Sequence, residues 1–213
     1  LDTDPDITIT TKFDGTSCTL LFTDKLSHLK PSFALLQDDE NKAFSFFVCS
    51  RNNILDGSDP NDKPYFQMVK DAKLHERLAQ SGWKNIAIQG ELCGPKMNGN
   101  RLQLDRLEWF VFNIYDIAAK QYMPMTNVTS ICNQLGVRTV TQIYHGKLLA
   151  CPGLQPLIQG TTKDDNMEYV RNVIDGLVSF AKKQTYGADL PAEGIVIKTN
   201  HTLADVRFSC KVI

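Results

Sequence analysis

Apolar and polar residues alternate over Ile7–Phe13 and again over Thr16–Phe22, the period of half-buried strands. Between the two runs stands Asp14-Gly15, a tight-turn signal, so the pattern predicts two strands joined as a hairpin. Ala43–Arg51 predicts a further strand. Ahead of it, Asp24–Lys42 breaks the alternation with Pro31 and a charged cluster and reads as an excursion inserted near residues 27–43. Arg51–Lys63 is rich in Asn, Asp, Gly and Pro and predicts a loop.

From Tyr65 the spacing becomes helical. Met68, Ala72 and His75–Leu78 predict one helix over 65–82, with Pro64 at its start and Gly82 as its stop. Trp83–Gly94 predicts a strand running into a turn. Arg101–Ile117 alternates at first and then becomes nearly continuous in apolar residues, which predicts a long strand buried on both faces. Met125–Gly136 predicts a helix capped by Thr126 and stopped by Gly136. Asp164–Gln184 predicts a longer helix, with Val170, Ile174, Leu177, Val178 and Ala181 as its apolar stripe. Ala192–Asn200 and Val206–Ile213 are the last predicted strands. The whole is an α+β pattern of antiparallel sheets with helices packed on them.

Composition narrows the picture. With 213 residues and 42% apolar content, the chain suits one large domain, or one domain with a small appendage. A formal net charge of -1 gives no global basic field, so any polyanion site must be local. The six cysteines form no CxxC pair and the four histidines are scattered, which argues against structural zinc. Cysteines in apolar stretches point to reduced core thiols in an intracellular protein. No apolar run reaches transmembrane length and no signal-peptide pattern occurs, so no membrane association is expected. Both ends are abrupt, which leads us to expect a piece of a larger protein.

Three stretches carry candidate chemistry. Lys12–Gly15, Gln89–Gly94 and Ala192–Lys198 each place an acid beside glycine at a strand end: Asp14, Glu91 and Glu193. Any one Asp-Gly or Glu-Gly is an ordinary turn signal. Three carboxylates converging on one cleft would make a hard-cation site of the kind magnesium occupies. The same stretches bring Lys12 and Lys198, with Lys211 near the end, and lysines beside a metal suit a triphosphate. Read singly, Phe112 is core, Arg51 is a strand-end charge, and Trp83, Trp109, His75 and the cysteines carry no chemistry.

The order of these motifs goes further. Along the chain stand Lys12-x-Asp14-Gly15, Ser50-Arg51-Asn52, Gly90-Glu91-Leu92-x-Gly94, Phe112-Asn113-Ile114-Tyr115, Glu193-Gly194-Ile195-Val196-Ile197-Lys198 and the closing Lys211-Val212-Ile213. This order resembles the covalent nucleotidyltransferases, the ATP-dependent DNA and RNA ligases and the mRNA capping enzymes. Gln89–Ile117 looks most like the RNA ligase branch typified by the Deinococcus and Naegleria enzymes. The resemblance runs from Lys12 to the last residue.

The resemblance implies an ATP-grasp-like nucleotidyltransferase domain over residues 1–213, with relatives carrying an N-terminal OB-like domain outside this chain. It implies that Lys12 attacks the α-phosphate of ATP and holds AMP. A free lysine has a pKa of about 10.4 and is a poor nucleophile at neutral pH, so a metal, a cationic neighbour or desolvation must activate it. Asp14, Glu91 and Glu193 would hold magnesium or manganese through its waters. Glu91 would also accept a hydrogen bond from the ribose, and Arg51 would reach the ribose or an RNA-end phosphate. Phe112 would stack on adenine, worth about 1–3 kcal/mol, with Val196 closing the other face. Lys198 and Lys211 would bind phosphates. Thr11 is counted among the nucleotide-binding positions, although this branch often carries Glu there; Ser209 stands where many relatives have a further lysine.

The implied partners are RNA 5′-phosphate and 3′-hydroxyl ends in a nicked duplex, bound weakly by this segment, and the implied state is a monomer. A DNA ligase core, a capping-type core and a noncatalytic module that binds nucleic-acid ends remain alternatives at this stage.

Overall fold

The computed structural model describes residues 4–26, 28–33, 36–37, 43–152, 154, 166–186, 189–199 and 209–213. In chain order the strands and helices begin with β1 (Asp6–Lys12), β2 (Thr16–Thr23), β3 (Leu36–Gln37), β4 (Ala43–Cys49) and β5 (Ile54–Leu55). Helices α1 (Lys63–Asp71) and α2 (Leu74–Gln80) follow, then β6 (Ile86–Cys93), β7 (Glu108–Asp116) and β8 (Gln121–Tyr122). Next come α3 (Met125–Leu135), β9 (Arg138–Thr139), β10 (Gln142–Lys147) and α4 (Asn166–Lys182). The described chain closes with β11 (Thr185–Tyr186), β12 (Leu190–Pro191), β13 (Gly194–Thr199) and β14 (Ser209–Val212). The α+β class follows from this mixture of helices and largely antiparallel sheets.

The chain divides into two compact units. The first comprises Leu1–Phe13 and Val140–Ile213, the second Asp14–Thr139. In the first unit one sheet runs β10-β1-β13-β14, antiparallel throughout. Ile7, Ile9, Ile195 and Ile197 from one face of that sheet pack with Ala181, Cys151 and Leu154, and with Val173, Leu177 and Phe180 of α4. In the second unit the larger sheet runs β3-β4-β2-β6-β7-β8, with β5 on β4 and β9 parallel to β7. Its core is built from Leu20, Phe22, Phe46, Ile88, Leu92, Trp109, Val111 and Ile114 against α1–α3.

Four expectations are corrected. β1 and β2 are not a hairpin: β1 pairs with β10 and β13, and β2 with β4 and β6. The chain leaves the first unit between Phe13 and Asp14, so Asp14-Gly15 is a crossing point. The helix expected over 65–82 is broken, because Lys73 adopts a left-handed conformation (φ 50°) between α1 and α2. Helix α3 is preceded by Pro124 and has no side-chain cap, so Thr126 lies inside it; Gly136 does end it, at φ 65°. On α4, Val170 and Ile174 are exposed, and the buried side is formed by Val173, Leu177, Phe180 and Ala181.

Of the excursion near 27–43, residues 27, 34–35 and 38–42 lie outside the described residues. Phe33 within it stacks on Phe66 and on His75, which gives His75 a packing role. Among the described residues no helix is long and apolar enough to cross a membrane.

Candidate active site

In the first unit, side-chain alternation puts Thr8, Thr10 and Lys12 on the face of β1 opposite the α4 core. The register sets Thr8 against Lys198, Thr10 against Val196 and Lys12 against Gly194, and places Lys211 of β14 against Val196. Lys12, Val196, Lys198 and Lys211 therefore share one sheet face. Lys198 is buried at 5% exposure, while Lys211 is exposed. The Lys12 ammonium pairs with the Glu193 carboxylate, with side chains 16% and 24% exposed. Thr11 points the other way, with Ile9 and Ile195, and is buried; its backbone N–H donates to the Thr141 carbonyl at 2.9 Å. Its side chain thus stands apart from the lysine group.

In the second unit, Gly15 lies against the β6 residues that carry the second acid. A Cβ at Gly15 would stand 2.5 Å from the Leu92 carbonyl oxygen and 2.6 Å from Cys93 Sγ. The missing side chain makes room for protein atoms, which is a packing reason for this glycine. Asp14 is engaged by Asn98 Nδ2 and, at 2.9 Å, by Arg101 Nε. Both partners come from the loop after β6, where Lys96, Asn98, Asn100 and Gln103 all take positive φ.

Glu91 is half-buried and registers with Ser17 of β2 and Phe110 of β7. Phe112 owes its position to a bulge: Gln89 faces Asn113 and Gly90 faces Val111, which leaves Phe112 as the extra residue. A bulge bends a strand and re-aims a side chain, and Phe112 is half-buried rather than part of the core cluster. Arg51 is exposed in the turn closed by the Ser50 N–H donating to the Asn53 carbonyl at 2.9 Å. A cavity of about 460 Å³ in this unit, lined by Met68, Leu107, Glu108 and Arg138 among others, contains none of these residues.

The RNA ligase family model matches residues 5–213. The chain belongs to the RNA ligase family. No match was found among the curated proteins. Among solved structures, this RNA ligase family chain is similar to the Naegleria gruberi RNA ligase. A lysine-to-alanine mutant of that enzyme with ATP and Mn matches at 22% identity and TM-score 0.68, covering 100% of this chain and 50% of that one. The same ligase with PPi matches at 23% identity and TM-score 0.67, covering 99% and 50%. A lysine-to-methionine mutant with AMP and Mn matches at 22% identity and TM-score 0.66, covering 99% and 50%. The chain spans about half the length of these proteins, and similarity at this identity establishes a shared fold.

Sequence reasoning in this RNA ligase family chain missed Asn98, Arg101 and Tyr186. The first two sit in a loop whose partner is 84 positions away in sequence for Asn98, and nothing local signals that pairing. Tyr186 links Lys12 and Glu193 through backbone atoms, which no side-chain pattern announces.

Cys93, inside the Gly-Glu-Leu-x-Gly motif, is buried, and its thiol pKa is pushed up to about 12 by burial first and then by the Glu91, Asp14 and Glu108 charges. Burial likewise raises Cys132 to about 12 and raises Cys18. Only a thiolate alkylates readily. Native protein treated with iodoacetamide at pH 8 is therefore expected to leave Cys18, Cys93 and Cys132 unmodified. Peptide mass spectrometry reads this directly, and rapid labelling of Cys93 would contradict it.

Proposed function

We propose that this chain carries out the nucleotidyl-transfer chemistry of an ATP-dependent RNA ligase, with Lys12 as the residue that accepts AMP. The supporting observation is that Lys12 ends its strand paired to Glu193, on the same sheet face as Lys198 and Lys211.

In the first step the Lys12 amine, having given up one proton, donates its lone pair to the α-phosphorus of ATP. A nitrogen–phosphorus bond forms, the bond to the oxygen bridging the β-phosphate breaks, and pyrophosphate leaves. The nitrogen sheds a second proton, and the Glu193 carboxylate beside it is the local acceptor. Lys198 and Lys211 supply positive charge for the phosphates. In the second unit Phe112 offers a ring for the base, Glu91 an acceptor for a ribose hydroxyl, and Arg51 a guanidinium for an RNA-end phosphate.

AMP then passes to an RNA 5′-phosphate: a phosphate oxygen attacks the AMP phosphorus and the lysine nitrogen leaves, regaining its proton. A 3′-hydroxyl finally attacks the activated 5′-phosphorus and AMP departs, closing the strand.

Glu91 and Glu193 are partly buried oxygen donors, which suits a hard divalent cation. Among the described residues no group of three His, Cys, Asp or Glu side chains is placed to hold a metal directly. The order of the motifs supports Asp14, Glu91 and Glu193 as the carboxylates that would hold magnesium or manganese through its waters. Asp14 already holds Asn98 and Arg101, one on each carboxylate oxygen, and each oxygen has more than one lone pair. When bound, the metal neutralises phosphate charge.

Incubation of the protein with ATP and magnesium or manganese is expected to add the mass of one AMP, and incubation with GTP to add nothing. A nicked RNA duplex with a 5′-phosphate should discharge the adduct, and one with a 5′-hydroxyl should not. A folded protein that gains no nucleotide from either triphosphate would overturn the proposal in favour of a noncatalytic module.

A further inference from the structure

We infer that Tyr186 is a positioning residue, whose hydroxyl sets Lys12 against Glu193 at the point where the sheet stops holding them. This inference rests on the reading of Lys12 as the nucleophile.

Lys12 is the last residue of β1, and β13 begins only at Gly194. Lys12 and Gly194 form the final register pair, so the Glu193 N–H lies beyond the ladder. There the Tyr186 hydroxyl donates to the Lys12 carbonyl oxygen at 2.6 Å and accepts the Glu193 N–H at 3.2 Å. A phenol can donate and accept at once, and phenylalanine can do neither. One oxygen atom thus joins the backbones of the two residues whose side chains form the ion pair.

The tyrosine is itself firmly seated. It is 8% exposed, and its ring packs on Phe13 with centroids 5.1 Å apart. It lies on the β11–β12 hairpin, where Tyr186 pairs with Leu190. The base of that hairpin is closed by the Ala192 N–H donating to the Gln184 carbonyl at 3.0 Å, and the Gln184 side chain is anchored on Phe180 of α4 at 3.0 Å. The path from α4 to Lys12 is therefore continuous through hydrogen bonds and packed rings. A nucleophile displaced by about 1 Å loses on the order of 100-fold in rate, and the hydroxyl is what prevents such displacement at an unladdered strand end.

The test is single-turnover AMP attachment measured against ATP concentration for the wild type, Tyr186→Phe and Phe13→Leu, with Lys12→Ala as blank. Tyr186→Phe is expected to lower the maximal rate constant about 10- to 100-fold. Half-saturating ATP and the final adduct amplitude should stay within about twofold, because the same molecules bind ATP and only the approach of the amine changes. Phe13→Leu, which loosens the ring and keeps the hydroxyl, should lower the rate constant less, and it decides the matter if Tyr186→Phe does not fold.

Variant rates equal to the wild type would overturn the inference while leaving Lys12 as nucleophile. Losses appearing only in amplitude or in half-saturating ATP would assign Tyr186 to folding or binding and overturn it as well. A wild type that forms no adduct would remove the functional reading first and this inference with it.

Discussion

Lys12→Ala is expected to form no AMP adduct, while still folding and melting cooperatively. The loss should be complete because no neighbour can substitute. Lys198 stands opposite Thr8, four residues along β1 from Lys12, or about 13 Å at the rise of an extended strand. Lys211 registers with Val196, which faces Thr10, so it is displaced about 7 Å along the strands and about 10 Å across them. Neither lysine starts from the strand end that Lys12 occupies. The structural cost should be about 1–3 kcal/mol, since the Lys12 and Glu193 side chains are only 16% and 24% exposed and removing one partner leaves a mostly buried charge unmatched. Intact-mass analysis and a thermal melt check both halves. Lys12→Met, which keeps most of the apolar stem, should behave alike.

Gly194→Ala is expected to destabilise the protein by about 3 kcal/mol or more. A Cβ there would lie 2.0 Å from the Val212 carbonyl oxygen and 3.0 Å from its carbonyl carbon, and the residue sits at φ 153°. The obstructing atoms are backbone, so no rotamer change relieves the clash. Relief requires β14 to move off β13, beginning at the Ile195–Val212 pair. That displacement carries Lys211 away from the face it shares with Lys12 and disturbs Glu193 next door. Urea denaturation should show the loss, and AMP attachment should fall with it. A change below about 1 kcal/mol would mean that β14 yields easily.

The strands and the acids at their ends were legible because alternation and glycine punctuation are local signals. β1, β2, β4, β6 and β13 lie close to the predicted runs. Partner choice was not legible. Thr8–Phe13 and Thr16–Phe22 alternate well enough to pair across Asp14-Gly15, yet each finds other strands and the chain crosses between units there. The bulge at Phe112 depends on the register of β6 against β7, a tertiary property.

The glycine of the first motif was legible as a special position but not for the right reason, since its space is filled by Leu92 and Cys93. On α4, Leu177 and Ala181 of the expected stripe do face the core, but Val170 and Ile174 are exposed and Val173 and Phe180 are turned inward with them. Alternative apolar faces on one helix are separated only by what they pack against. Asn98 and Arg101 act through one long-range hydrogen bond and one ion pair to Asp14, and Tyr186 through two hydrogen bonds to backbone atoms, for which a sequence carries no periodic mark.

The central claim is that Lys12 carries the nucleotide. Its most direct test is to incubate the protein with ATP and manganese, digest it, and locate the added AMP by tandem mass spectrometry under conditions that preserve phosphoramidates. AMP is expected on the peptide containing Lys12, attached at its side-chain nitrogen and released by mild acid. AMP mapped to any other residue, or a folded protein with Lys12 unmodified, would contradict it.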